Sequence, residues 1–404
     1  MCSTRCRPTG GRGSKHDYVN VTRMSVMNQK IPDSPRPDML QPHRAGDVES
    51  FPGGKVIYLS PVPLPTGVAP LDFNQAIGEV NDAYLDFGGS LPTPFTWQFT
   101  LGGPFISFLM FVFLIPVLGG GGLMWFIGKD IALFYVGIAG LFNEVFAKAS
   151  VICTLILILA LFIKAHYHFK FREAVPTRFH RQRREVAFAP GGGKPPIIVP
   201  WESVAAWVTQ AQGVTQYGVQ RQYGLGIGFI EPETGQQHFL ELSQPGMPLA
   251  LGLWEAVRAY MEYEVNTREE LQDPHGLHRP GDPPYEGVHT FHNARRRLHR
   301  RYRKGDIGLF AVTMWYLWHI LDLWTIPFHL AEWEISVIQK AGQKTLPASL
   351  DQWSQPLPKE QWAKPSEELT RLSKEVRQRH AQQPNRPITA IFAEIYAEET
   401  LLSA

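Results

Sequence analysis

Two apolar stretches dominate the hydrophobic pattern of the chain, and a run of basic residues ends them. No charged residue falls between Phe105 and Ile127. At about 1.5 Å of helical rise per residue, that stretch crosses a hydrocarbon core of roughly 30 Å. A second apolar run, Ala149 to Ile163, reaches spanning length as a helix that starts near Val145. Together they predict a transmembrane helical hairpin over residues 104–164. Pro116 and the glycines Gly119 to Gly122 weaken the first span, because proline removes a helical hydrogen bond and each glycine costs roughly 1 kcal/mol relative to alanine. With no charge inside the span, a kinked helix packed on the second through its small residues is expected, rather than a break lining a polar path. Ile131 to Phe142 is too short to cross alone. It is expected to extend the second helix outward or to lie at the outer interface, with Asn143, Glu144 and Lys148 near the lipid boundary.

Outside the hairpin the pattern weakens and then changes period. Residues 1–55 are polar and rich in proline and glycine, which predicts a disordered tail. In the pre-membrane segment, 56–103, the stretch Lys55 to Leu64 predicts a short strand. Asp72 to Phe87 spaces Phe73, Ile77, Val80, Tyr84 and Leu85 as an amphipathic helix. From Val175 onward the spacing turns to two. Strands are predicted over Arg178 to Phe188, Ile197 to Val199, Ser203 to Val208, Tyr223 to Ile230 and His238 to Leu242, with Pro232 to Gly235 as a hairpin turn. Met247 to Val265 then carries Leu249, Leu253, Val257 and Met261 on one helical face. Residues 175–266 thus predict a small cytoplasmic antiparallel β-barrel or roll of pleckstrin-homology-like form, closed by a C-terminal helix. A Pro-rich loop and basic helix (267–304), an interfacial or membrane-associated helix (306–335) and a helical C-terminal tail (345–404, with helices at Pro365 to His380 and Ile388 to Leu402) complete a membrane α plus α+β chain.

Charge orients this layout. The net charge is only +2, yet no Lys or Arg lies between Lys55 and Lys129, an interval that holds Asp72, Glu79, Asp82 and Asp86. The second span is followed by Lys164, Lys170, Arg172, Arg178, Arg181, Arg183 and Arg184 against the single acid Glu173. A basic collar of that kind marks the cytoplasmic side. The acidic approach to the first span argues the other way, and the collar is the stronger signal. The N-terminus has no apolar core of a secretory signal, so both termini are expected in the cytoplasm, with Met24 or Met27 as alternative starts. Cys2, Cys6 and Cys153 cannot form a disulfide framework and carry no redox or metal assignment.

Candidate chemistry changes the picture little. Arg295 to Lys304 (RRRLHRRYRK) precedes an apolar segment, Ile307 to Trp333, that carries Trp315, Trp318, Trp324 and Trp333 together with His319, Asp322, His329 and Glu332. A Trp-rich, proline-broken segment led by arginines suits a helix lying in the cytoplasmic interface, with a third crossing as the alternative. Arg295, Arg296, Arg297, Arg300 and Arg301, with Trp315, Trp318 and Trp324, are therefore expected lipid contacts, and Arg181, Arg183 and Arg184 an expected membrane-facing edge. Without interleaved aromatics or a fold motif the cluster gives no nucleic-acid signal. His275, His278, His289 and His292 form two HxxH pairs, which read as solvated loop histidines rather than an all-His metal site. Gly224, Gly226 and Gly228 alternate inside a strand and are not a phosphate loop. Trp201 and Trp207 are expected core anchors. No nucleophile elbow, zincin, P-loop or kinase pattern occurs, so neither catalysis nor a cofactor is expected.

The block Pro176, Arg178, Phe179, Arg181, Arg183, Arg184, Glu185, Val186 and Phe188, followed by Val199, Pro200, Trp201, Glu202 and Trp207, resembles an uncharacterised family of proteobacterial inner-membrane proteins. In that family two membrane helices precede an RFNRQRREVYF…VPWE…AW domain, and a Trp/Pro-rich segment lies near the C-terminus. The resemblance spans roughly residues 100–350. Here His180 replaces the usual Asn, and Ala187 a common aromatic. Members are often encoded near type VI secretion effectors. The resemblance implies a multi-pass inner-membrane accessory or immunity protein that binds a protein partner, a toxin, effector or secretion component, and it assigns no catalytic residue. A membrane-disrupting pore-forming toxin is the alternative expectation, and a lipid-modifying enzyme a third.

Overall fold

The computed structural model describes residues 39, 41–88, 91–171, 175–189, 195–215, 218–271, 276–283, 285–345 and 348–403. The expected disordered tail as far as residue 38, Cys2, Cys6, Met24, Met27, Arg172, Glu173 and His275 lie outside them.

Among the described residues, two helices are long and apolar enough to cross a membrane: α1, Pro94–Gly128, and α2, of which Ile131–His166 is the apolar part of Ile131–Phe171. Lys129, in the left-handed region at φ 51°, and Asp130 make the turn between them. The Asp130 carboxylate accepts from the Ala132 N–H and so starts α2 at once. α2 therefore begins at Ile131 rather than near Val145, and the segment expected to extend it outward is its first three turns. Pro116 does not break α1. π-helical turns over Met110–Leu114 and Pro116–Gly121 flank it, and a widened turn absorbs the missing N–H within one continuous run. Close approach through glycine is as expected. A Cβ on Gly120 would stand 2.3 Å from the Gly137 carbonyl oxygen. The ring pairs Phe108–Phe146 and Phe113–Phe142, at 6.1 and 6.3 Å, set the register. The long uncharged run of α1 thus lies beside residues 131–148, and Ala149 to Ile163 continues past it toward the Pro94 end. The tight turn dictates this, since the two apolar runs cannot be level across a two-residue connection.

Among the described residues, ten strands form two five-stranded antiparallel sheets. The first has the order β1-β2-β8-β9-β10, with β1 Val48–Phe51, β2 Gly54–Ser60, β8 Ala205–Thr215, β9 Gly218–Ile230 and β10 Gln237–Gln244. The second has the order β3-β4-β5-β6-β7, with β3 Ile77–Val80, β4 Tyr84–Phe87, β5 Thr177–His180, β6 Glu185–Phe188 and β7 Ile197–Pro200. Each sheet takes strands from both sides of the membrane hairpin: β2 pairs with β8, and β4 with β5. The pre-membrane segment and the β-rich region are accordingly one unit into which α1 and α2 are inserted. No closed barrel forms among the described strands.

Three expectations about elements change. Val48–Phe51, expected in the disordered tail, is a strand. Asp72 to Phe87 is a β-hairpin, not a helix. The Asp72 carboxylate accepts from the Ala76 and Ile77 N–H groups, and the Asn81 side chain from those of Ala83 and Tyr84, which diverts the backbone donors a helix needs. Arg178 to Phe188 is a hairpin too, turning over residues 181–184 with Arg184 at φ 52°. The turn at Pro232 to Gly235 is as expected, with Gly235 at φ 68° donating to the Glu231 carbonyl.

Both sheets and α3, Met247–Met261, enclose one core, to which Leu59, Phe87, Phe179, Trp201, Ile227 and Trp254 contribute fully buried side chains. A second, smaller core joins α8, Glu367–Gln382, to α9, Ile388–Ser403, through Leu372, Val376, Phe392 and Ile395, with Ala45 and Leu64 from the N-terminal side. Ser366 caps α8 by accepting from the Leu369 N–H.

Candidate membrane-interface site

The arginines of the hairpin β5–β6 face inward. Arg178 makes a two-pronged pair with Asp86 (Nε–Oδ1 2.6 Å, Nη2–Oδ2 2.8 Å), donates to Ser354 and lies 3.7 Å from the Tyr84 ring centre. Arg181 sits between the rings of Tyr260 and Tyr263 and donates to the Asp82 carbonyl and to Asn266. Arg184 reaches Glu202 and Glu262, both at 2.9 Å, and Glu262 also accepts from the Trp201 indole. Arg183 is half-buried. It donates to the Trp353 carbonyl while the Trp353 indole donates to Glu185. The expected membrane-facing edge of Arg181, Arg183 and Arg184 is therefore overturned, because acids and carbonyls remote in sequence take up these cations inside the protein.

The rest of the motif is structural in the same way. Phe179 packs edge-on against Phe87 and Trp201. Pro176 is half-buried and Pro200 exposed. Trp201 and Trp207 are fully buried. Gly226 and Gly228 form a flat bed for Trp207, since a Cβ on Gly226 would lie 2.1 Å from the indole. His180 is buried against the Trp353 ring, and burial pushes its pKa down to about 4. Burial raises the Glu202 carboxyl, but hydrogen bonds from Ser366 and Arg184 outweigh it and leave the group below its ordinary range.

A different set of side chains meets where the β unit joins the membrane helices. Helices α4, Val288–Arg303, α5, Leu309–Leu321, and α6, Ile326–Thr345, pack together there. α5 and α6 form an elbow bent by 54°, with Leu323 and Trp324 at its apex in the left-handed region (φ 62° and 56°). Together the two helices are long and apolar enough for one broken span or a re-entrant loop. Phe291 of α4 is the centre of the packing, with the rings of Trp315, His319, Trp324 and Phe328 all 5.0–5.6 Å away. Glu332 accepts from the Val288 N–H and satisfies one of the open donors at the start of α4.

Two acids tie the elbow to the hairpin. Buried Glu334 accepts from the Trp97 indole and the Lys164 ammonium, both at 2.9 Å, and Lys164 lies 4.3 Å from the Trp97 ring centre. Asp322, only 5% exposed, rests against Gly102, where a Cβ would come within 2.9 Å of its Oδ1. Sequence reading placed Lys164 in the collar and missed Glu334, Trp97 and Gly102 as partners. Their one local signal is an acid inside an apolar segment.

The expected lipid contacts divide. Arg296, Arg297, Arg300 and Arg301 are exposed on α4, and Arg295 is half-buried. Trp318 and Trp333 point outward, whereas Trp315 and Trp324 are half-buried around Phe291. Among the described residues no three His, Cys, Asp or Glu side chains gather as metal ligands; the rings of His278 and His289 are 5.7 Å apart. Comparison of the chain with family models, curated proteins and solved structures gives no match in any of the three.

Proposed function

We propose that this chain is a multi-pass bacterial inner-membrane protein that binds a protein partner beside the membrane, as an immunity or accessory protein in a type VI secretion toxin system. The reading is supported by one observation above others. Each β-sheet takes strands from before and after the α1–α2 hairpin, so the soluble unit is built onto its anchor rather than tethered to it. A receptor surface mounted in this way is pre-oriented toward anything that arrives at the bilayer, which lowers the ordering cost of binding. The buried polar groups of the RFHRQRRE block are engaged in structural pairs, which fits a binding scaffold. The secretion-system assignment rests on the resemblance of that block. The cytoplasmic placement of both termini rests on the collar, and a pleckstrin-homology-like character of the β unit on its strand order and closing helix.

Rescue in bacteria tests the proposal. Cells given a toxin encoded beside this gene should grow only when the full chain is co-expressed, and the chain should co-purify with that toxin in detergent. Depolarisation of cells by the chain alone overturns the reading in favour of a pore former. Phospholipid turnover by purified protein overturns it in favour of an enzyme.

A further inference from the structure

The elbow does not travel far along the hairpin. Its apex meets α1 at Gly102 through Asp322, and α6 meets it again at Trp97 through Glu334. Five residues of helix separate those points, a rise of about 7.5 Å, whereas a crossing needs roughly 30 Å. From its apex to Glu334 the elbow therefore stays beside the Pro94 end of the hairpin. Its outward surface is apolar: Leu309, Phe310, Trp318, Ile320 and Ile326 are between 51% and 79% exposed.

A short connection, residues 304–308, joins that surface to the basic half of α4. Arg296, Arg300, Arg301, Arg303 and Lys304 are all exposed there, and none has an acidic partner among the described residues. The helix itself contains no Asp or Glu. Exposed apolar side chains on an elbow held against the membrane helices, with exposed arginines one short connection away, match the two chemistries of an anionic bilayer surface, acyl chain and phosphate. A nucleic acid would complement the arginines and leave the adjoining apolar face in water.

We propose that α4, α5 and α6 form an anionic-phospholipid site: the elbow enters only the leaflet next to the soluble unit, and the α4 arginines hold headgroup phosphates. The proposal rests on the hairpin being membrane-embedded and is independent of the protein-partner reading. Within it, Trp318 and Trp333 are interfacial anchors, whereas Trp315 and Trp324 hold α4 onto the elbow.

The full chain, purified in a neutral detergent, is reconstituted into phosphatidylcholine bilayers and into bilayers doped with phosphatidylglycerol. Bound lipid is then counted after extraction of a narrow shell of surrounding lipid. Phosphatidylglycerol should be enriched about tenfold over phosphatidylcholine, and the enrichment should fall as salt shortens the screening length. The combined variant Arg296→Gln, Arg300→Gln, Arg301→Gln and Arg303→Gln should lose the enrichment and keep the wild-type melting temperature. Equal retention of both lipids by the wild type, or enrichment unchanged in the variant, overturns the proposal. So does an RNA oligonucleotide that displaces the anionic lipid. For depth, a nitroxide is placed at Trp318→Cys in a chain without its native cysteines. It should relax with oxygen rather than with a polar nickel chelate; the reverse puts the elbow in water and overturns it. Anchoring is read separately by resistance to alkaline extraction, which the variant should retain in full.

Discussion

The stretches 178–184 and 295–304 are both rich in arginine, and their surroundings are opposite. In the first, Arg178, Arg181 and Arg184 are buried, each held by a carboxylate, by carbonyls or by tyrosine rings. In the second, Arg296, Arg300, Arg301 and Arg303 are exposed on a helix without an acid. A guanidinium is costly to bury unless its donors are met, so what separates the two stretches is the supply of acceptors, and those come from elsewhere in the chain. Asp86 lies 92 positions from Arg178, and Glu262 lies 78 from Arg184. Local composition reads membrane-facing arginines in both places, and only the second set faces outward.

The comparison can be broken most directly at Arg178. Arg178→Ala strands Asp86 in the interior and should cost roughly 3–5 kcal/mol of unfolding free energy. Denaturant unfolding of the full chain in detergent reads this, and a loss below about 1 kcal/mol would put the pair in the solvated class of surface ion pairs. Next comes Glu262→Ala, which removes acceptors from both Arg184 and the Trp201 indole and should cost about 2–3 kcal/mol in the same measurement.

The tie between elbow and hairpin sharpens the comparison, because Lys164 of the collar is paired there with Glu334. Lys164→Met and Glu334→Gln should each loosen the elbow, and their double-mutant cycle should show a coupling of about 1–2 kcal/mol. Faster cleavage after the α4 arginines by a trace of trypsin reads the loosening.

The buried hairpin also carries a pH signature. His180 stays neutral in the folded protein down to about pH 4, whereas an unfolded histidine titrates near its ordinary value of about 6.5. The unfolded chain thus binds more protons in that window. Stability contributed by neutral His180 is complete above pH 6.5 and is lost as the pH falls toward 4. The pH slope of the melting temperature between those limits should flatten in His180→Asn, the residue usual in the resembling family. The smallest effect belongs to the second stretch. Arg296→Gln or Arg300→Gln should change folding stability by no more than about 0.5 kcal/mol. A larger loss would mean that these arginines have folded-state partners, and the contrast would fail.

The strands from Ile197 to Gln244, the turn at Gly235, helix α3 and the two C-terminal helices were legible because their signals are local: period two, a glycine at positive φ, apolar residues three and four apart. Asp72 to Phe87 misled because Ile77, Val80, Tyr84 and Leu85 satisfy helical spacing. The carboxylate of Asp72 and the amide of Asn81, which bind backbone N–H groups, decide for the hairpin. Of the candidate site, the outward arginines and Trp318 could be read directly. Glu334, Trp97 and Gly102 could not, since nothing near them in the chain names their partners.

The sequence alone determined that this protein has two helices long and apolar enough for a bilayer, strands and helices beyond them, and two concentrations of arginine. Those are sums over neighbouring residues, and neighbours suffice for them. Tertiary structure alone decided that the membrane hairpin interrupts a single β unit, how α1 and α2 slide against each other, and which arginines turn inward. Each of those depends on groups brought together from distant parts of the chain, and pairing over such distances leaves no periodicity along it.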